Sequence, residues 1–164
     1  MEINHMYIDI GLKLCAAVGF GMLIGLERFV VKKPAGMRTY ALVSMGAALF
    51  VIISELVYVK YGITAGANGF DPLRLAAQVV LGVGFLGAGM IVLQDNRVTG
   101  LTTASGLWVA AAIGTAAGFG FFSLSAIATV LTLVIFMFFW GIEERIKKVA
   151  EGKYHSEDTE NEHV

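Results

Sequence analysis

The sequence predicts an all-α membrane protein: a bundle of about five transmembrane helices with glycine- and alanine-rich packing faces. Three observations carry that expectation. Of the residues, 57% are hydrophobic and 15% charged, where ordinary soluble domains carry about 25% charged residues. The mean hydropathy is +0.74. The apolar residues fall into runs at about 7–26, 39–59, 72–94, 101–119 and 121–141, each near the ~20 residues that cross ~30 Å of hydrocarbon. Within those runs small residues recur at helical spacing. In lipid, helices gain nothing by hiding apolar surface from water, so close backbone contact matters more. Residues 1–142 are therefore read as the bundle and 143–164 as a polar, disordered tail.

The first run carries Asp9 and Lys13, four residues apart and able to pair on one helix face. Met1 to Ile10 lacks a basic leader, so this run is expected to be retained as a span. Further along, Gly21 and Gly25 make a GxxxG packing motif. The single cysteine, Cys15, sits in an apolar segment and can form no disulfide within the chain.

Between the first two runs lies the most basic loop, with Arg28, Lys32, Lys33 and Arg38 against one acid, Glu27. Such a loop reads as a cytoplasmic topology signal. The sharper reading makes Glu27, Arg28 and Arg38 an ion-pair network at the membrane boundary. The second run has Gly46-Ala47-Ala48 at its middle and Glu55 near its far end, with Tyr58 and Tyr61 suited to the aromatic belt.

Asp71-Pro72 opens the third run as an N-cap followed by a first-turn proline. At 100° per residue, Leu75, Val79, Val83, Leu86, Met90 and Leu93 form a stripe of large side chains. Arg74, Gln78, Gly82, Gly84, Gly89, Ala77 and Ala88 fall on the other side. The expectation is that the large stripe meets lipid and the small face meets other helices. Asp71, Arg74 and Gln78 are a candidate functional cluster, since polar groups at membrane depth are costly and functional by default. The run from Gly82 to Gly87 also spells GxGxxG, but it lies inside a membrane-length apolar segment without the strand, helix and distant acid of a dinucleotide site. Gly82, Gly84, Gly87 and Gly89 are read as packing residues.

The turn with Asp95 and Asn96 leads into Thr102 and Thr103, a second candidate set. In the fourth run Gly106 and Gly114 help form a small face suited to the third. Only Gly118-Phe119-Gly120 separates it from the fifth, which predicts a tight helical hairpin. Four spans with one re-entrant segment is the other arrangement the runs allow. The fifth run lacks glycine from Ile127 to Trp140 and is placed at the bundle edge.

Five spans put Arg28, Lys32, Lys33, Arg38, Arg97, Arg145, Lys147, Lys148 and Lys153 on one side, and Lys60 and Arg74 on the other. That asymmetry predicts an outside N-terminus and a cytoplasmic C-terminus. The net charge of -1 gives no reason to expect a nucleic-acid partner. No Ser/His/Asp set, HExxH or CxxC pair is present, so the chain is not read as an enzyme and no cofactor is expected.

Several segments together resemble the MgtC/SapB family of bacterial inner-membrane proteins. They are Ile24-Gly25-Leu26-Glu27-Arg28, Ala35-Gly36-Met37-Arg38-Thr39, the stretch from Asp71 to Val80, the stretch from Gly84 to Gly89, and Gly100-Leu101-Thr102-Thr103-Ala104. They cover about residues 20–120 in the family's order. The resemblance implies a role in coping with low magnesium, often linked to bacterial survival inside host cells. It leaves two mechanisms: regulation of other membrane machinery, including the proton-driven ATP synthase, or transport of Mg2+ or another cation. Longer members resemble this chain in the membrane part and add a soluble ACT-like domain, where here only about 23 polar residues follow the fifth run. Regulation is the preferred reading, with the lipid bilayer as environment and a homodimer as the expected assembly. Mg2+ takes oxygen ligands; Asp71 and Glu55 lie on one predicted side, while Asp95 lies on the other.

Overall fold

The computed structural model describes residues 2–61, 73–94 and 96–161. Its elements are α1 (Glu2–Val30), α2 (Met37–Lys60), α3 (Leu73–Met90), β1 (Val92–Gln94), β2 (Arg97–Thr99), α4 (Leu101–Gly118) and α5 (Phe122–Asn161). The chain divides into two compact units, Met1–Thr132 and Leu133–Val164. The first holds α1 to α4 and the start of α5; the second is the remainder of α5 together with the last residues of the chain.

A five-helix membrane bundle is what forms. Four helical segments are long and apolar enough to cross a membrane: His5–Val30, Met37–Lys60, Leu101–Gly118 and Phe122–Ile142. The third and fourth helices are the shortest, with 18 residues each. At a rise of about 1.5 Å per residue, α3 is about 27 Å long, just under the ~30 Å hydrocarbon layer.

The centre of the first unit is made where α1, α2 and α4 touch through glycine. A Cβ at Gly21 would lie 2.6 Å from the Tyr40 carbonyl oxygen, and one at Gly25 would lie 2.6 Å from Met37 Cα. A Cβ at Gly114 would overlap the Ser44 carbonyl, and one at Gly118 would lie 2.8 Å from the Ala48 carbonyl oxygen. Gly106 is buried on the same helix as Gly114. Gly21, Gly25 and Gly114 thus each sit where the backbone of a neighbouring helix arrives. The partner of Gly114, however, is α2 and not α3.

These contacts also fix direction. Positions 114 and 118 of α4 meet 44 and 48 of α2, so the two helices run parallel. Gly87 of α3 meets Ala104, and Val79 and Val83 cluster with Ala47 and Ala111, so α3 runs antiparallel to both. The end of α3 and the start of α4 line one cavity with Lys33 and Pro34 of the α1–α2 loop. Thus α3 carries the chain back to the α1–α2 loop end of the bundle, as a crossing helix does.

The structure differs from the sequence-based expectation at three places. The third run stops being helical at Met90, and Val92–Gln94 pairs antiparallel with Arg97–Thr99. A two-residue reversal between short strands that carry Val92, Val98 and Thr99 favours a hairpin over helix, and Asn96 takes the left-handed φ of 62° that such a turn uses. The expected lipid stripe of α3 is also split: Leu86 and Leu93 are exposed, but its two valines are not. Val79 and Val83, 9% and 7% exposed, point into the bundle, while nothing described lies within 4 Å of a Cβ at Gly82, Gly84 or Gly89. Valine fits against the alanines of α2 and α4, so here the large side chain fills the gap that close backbones would otherwise close. Lastly, α5 continues to Asn161 through the polar segment for which composition predicts disorder. Its residues from Glu143 to Ala150 are mostly strong helix formers.

Two helix ends use the same device. Gly120, at φ +80°, follows α4, with Phe121 N–H donating to the Ala116 carbonyl and Gly120 N–H to that of Ala117. This is a Schellman cap with glycine in the left-handed position. It makes the α4–α5 hairpin, closed by Ser125 Oγ donating to the Ile113 carbonyl at 3.1 Å. After α1 the same pattern recurs with Lys32, φ 55°, in the left-handed position, and Lys33 N–H donating to Arg28 O at 2.9 Å.

Candidate functional site

Polar chemistry gathers at the two ends of the first unit. At the loop end, the last turn of α1 carries Glu27 and Arg28. The cap at Lys32 folds the loop back, and Arg28 is 2% exposed as a result. Its guanidinium meets Glu27 through two hydrogen bonds, Nε to Oε2 and Nη2 to Oε1, the latter at 2.8 Å. A fork on a carboxylate is the geometry that suits arginine and not lysine. Arg38, the third member expected here, is exposed and takes no part in that pair. Tyr40, fully buried on α2, donates its hydroxyl to the Thr103 carbonyl at 3.4 Å, tying α2 to the first turn of α4.

Beside this pair is a cavity of about 540 Å³ roofed by the β-hairpin. Lys33, Gln94, Thr99, Thr102 and Thr103 give it polar walls, and Met90 and Leu101 give it apolar ones. Gly100 is the N-cap of α4 and, as glycine, offers no side chain to the first N–H groups of that helix. Gly100 itself is required: its φ is +87°, and a Cβ there would overlap the Met90 carbonyl. The described lining is rich in donors and contains no carboxylate.

At the opposite end, Lys13 of α1 lies between two acids. Its Nζ is 3.0 Å from Asp9 Oδ2 and 3.0 Å from Glu55 Oε2 on α2. The lysine side chain is 10% exposed, while the acids are 56% and 53% exposed. The Asp9 contact is legible from spacing. The Glu55 contact joins residues 42 apart and has no sequence signature. Equally silent in the sequence is Ser44, 0% exposed, whose hydroxyl donates to Ala17 O at 2.7 Å where α1, α2 and α4 meet. On α5, Ser125 and Thr129 are buried with hydroxyls bonded to backbone carbonyls.

The cluster expected around Asp71 is only half in view. Asp71 lies outside the described residues, as does Asp95. Arg74 and Gln78 are exposed on α3. Gln78 borders a groove of about 430 Å³ between α2 and α3, whose other walls include Leu42, Gly46, Phe50, Gly82 and Leu86. Asn96 is exposed at the hairpin tip, Thr102 lines the cavity, and Thr103 is buried. Of the sequence-predicted residues, the structure brings together Glu27 with Arg28, and Thr102 with Thr103. It does not join these to Arg74 and Gln78. Among the described residues no three His, Cys, Asp or Glu side chains come together as a metal-binding group.

Comparison with known proteins gives a consistent result. A family model described as the MgtC family matches residues 14–145. The putative magnesium transporter YhiD of Escherichia coli (strain K12) is 43% identical over 137 residues, covering 81% of this chain and 61% of that protein. The protein MgtC of Brucella abortus (strain 2308) is 43% identical over 122 residues, covering 74% of this chain and 48% of its own length. An uncharacterized protein of Haemophilus influenzae is 42% identical over 132 residues, 80% of this chain and 56% of that one. The chain thus spans about half to three-fifths of the length of these relatives. No solved structure matches it.

Proposed function

Because the chain belongs to the MgtC family, we propose that it is a multi-pass membrane protein of magnesium homeostasis that acts on other membrane machinery and does not itself carry the ion. The observation that carries this reading is the state of its acids. Asp9 and Glu55 share the Lys13 ammonium, and Glu27 is held by the Arg28 fork. At these three acids, among the described residues, a fixed cation of the protein already occupies the place a travelling cation would take. Mg2+ needs several oxygen ligands and gives up its waters reluctantly, so it would have to displace a buried lysine or arginine. The donor-lined cavity at the loop end suits an acidic or carbonyl group of a partner better than a metal ion. We place the lysine- and arginine-rich loop end in the cytoplasm of a bacterium and the bundle in its inner membrane.

Transport is the second reading, supported by the name of the Escherichia coli relative. Liposomes holding the purified chain, with Mg2+, Na+ and H+ gradients imposed in turn, separate the two. The expected result is no flux above empty liposomes, together with restored low-magnesium growth when the chain is expressed in a deletion strain. Saturable Mg2+ flux would overturn the regulatory reading.

A further inference from the structure

Four parts of the chain wall the cavity under the β-hairpin. They are the α1–α2 loop with Lys33, the end of α3 with Met90, the hairpin with Gln94, and the first turn of α4 with Thr102 and Thr103. The ion pairs among the described residues use Lys13 and Arg28 and leave Lys33 without an acid.

Thr103 sets this cavity apart from the rest of the interior. The buried hydroxyls of Ser44, Ser125, Thr129 and Thr132 all donate to carbonyls. Thr103 is 3% exposed, yet its hydroxyl bonds to no described residue; only its carbonyl is engaged, by the Tyr40 hydroxyl. Among the described residues no side-chain oxygen or nitrogen is both shut off from solvent and unbonded. The hydroxyl of so deep a residue is therefore reached through the cavity that Thr103 lines. A donor held at the inner wall of a cavity, its backbone anchored from behind by Tyr40, is placed for a ligand.

The surroundings say which ligand. The first N–H groups of a helix have no partners within it, and the N-terminus of α4 carries partial positive charge. Lys33 adds a full one. Donors arrive from the loop, the hairpin and α4, and a phosphate has oxygens enough for all three where a carboxylate has two. The end of α3 adds the opposite character, because the last carbonyls of a helix also lack partners within it. They repel a bare anion and accept from hydroxyls. A water takes about 30 Å³ of liquid, so a cavity of about 540 Å³ has room for far more than a phosphate alone.

We infer that this cavity binds a phosphate ester that also carries hydroxyls, a glycerol phosphate group. Lys33, Thr103 and the start of α4 hold the phosphate, and the end of α3 takes the hydroxyls. The inference rests on reading the cavity as a place for an acidic group and names the acid. Two sources carry that chemistry: free glycerol phosphate, and the headgroup of phosphatidylglycerol.

The full chain in phosphatidylcholine nanodiscs is titrated with glycerol phosphate and followed by phosphorus NMR line broadening. Native mass spectrometry of the chain released from mixed phosphatidylglycerol and phosphatidylcholine membranes reads the second source. Saturable broadening names the free ester, and selective retention of phosphatidylglycerol names the lipid. Lys33→Gln and Thr103→Val are each expected to weaken whichever binds by about tenfold. Thr103→Ser, which keeps the hydroxyl, and Lys32→Gln, whose residue lies outside the cavity lining, are expected to bind like the parent. An equal loss with Lys32→Gln would mean diffuse charge attraction, and an equal loss with Thr103→Ser would mean packing; either overturns the site. Acetate binding as tightly as glycerol phosphate would overturn the choice of phosphate. A parent chain that binds neither source overturns the proposal outright, while the flux and growth results that judge the regulatory reading stand apart from it.

Discussion

Lys32 and Gly120 hold equivalent positions in two copies of one helix cap, and only one of them is the residue that position favours. A left-handed backbone costs an L-residue about 1–2 kcal/mol, while glycine adopts it freely. Lys32→Gly is therefore expected to stabilise the protein by about 1 kcal/mol, and Gly120→Ala to destabilise it by a similar amount. Equilibrium unfolding in detergent measures both, and the same sign for the two would mean that the caps do not govern these ends. Packing glycines respond differently. Gly114→Ala forces a methyl onto the Ser44 carbonyl, and overpacking of this kind costs about 1–3 kcal/mol; Gly84→Ala enters open space and should be neutral in the monomer. The sequence marked both glycines alike, because spacing tells which residues are small and on a face but not which face is covered. The Glu27–Arg28 pair was legible, since neighbouring opposite charges at a helix end have few alternatives. The Lys13–Glu55 pair was not, because a contact across 42 residues leaves no local trace.

Among the helices, α3 departs furthest from what periodicity predicts. The predicted large stripe mixes inward Val79 and Val83 with exposed Leu86 and Leu93, because which residues turn inward depends on the neighbours, and alanine-rich α2 and α4 accept valine. Val83→Ala should thus destabilise the fold by about 1 kcal/mol through lost packing, with Phe85→Ala nearly silent in a monomeric, detergent-solubilised protein. The reverse order would restore the lipid-facing reading of the valine stripe. The hairpin after α3 was missed because Ile91, Val92 and Leu93 continue the apolar run, and hydropathy alone does not register a strand of three residues. At the other end of the bundle, α1 and α2 are joined by Lys13 and Glu55. A double-mutant cycle on Lys13→Met and Glu55→Gln is expected to depart from additivity by about 0.5–3 kcal/mol. Strict additivity would reduce that bridge to a surface contact.

For the molecule as a whole, length and hydropathy were enough to find all five helices, and the direction of α3 follows from its contacts with α2 and α4. On the proposed topology a crossing α3 separates Tyr61 from Asn96 across the membrane. Single cysteines at those positions, in a Cys15→Ser background, should react with a membrane-impermeant maleimide from opposite sides, Asn96→Cys only after the cytoplasmic face is opened. Labelling of both from one side would make α3 re-entrant. The contacts of Gly114 and Gly118 with α2 have a further consequence. Alternating-access carriers work by swinging one group of helices away from another, so that a central chamber opens to each compartment in turn. Here α2 and α4 meet backbone to backbone at Ser44 and Ala48, with no side chains of any length between them to stretch across a widening gap. Separating them would give up the close backbone packing that their glycines permit. On the proposed regulatory reading the α1–α2–α4 centre stays fixed, and any rearrangement by which this protein senses or signals takes place around it.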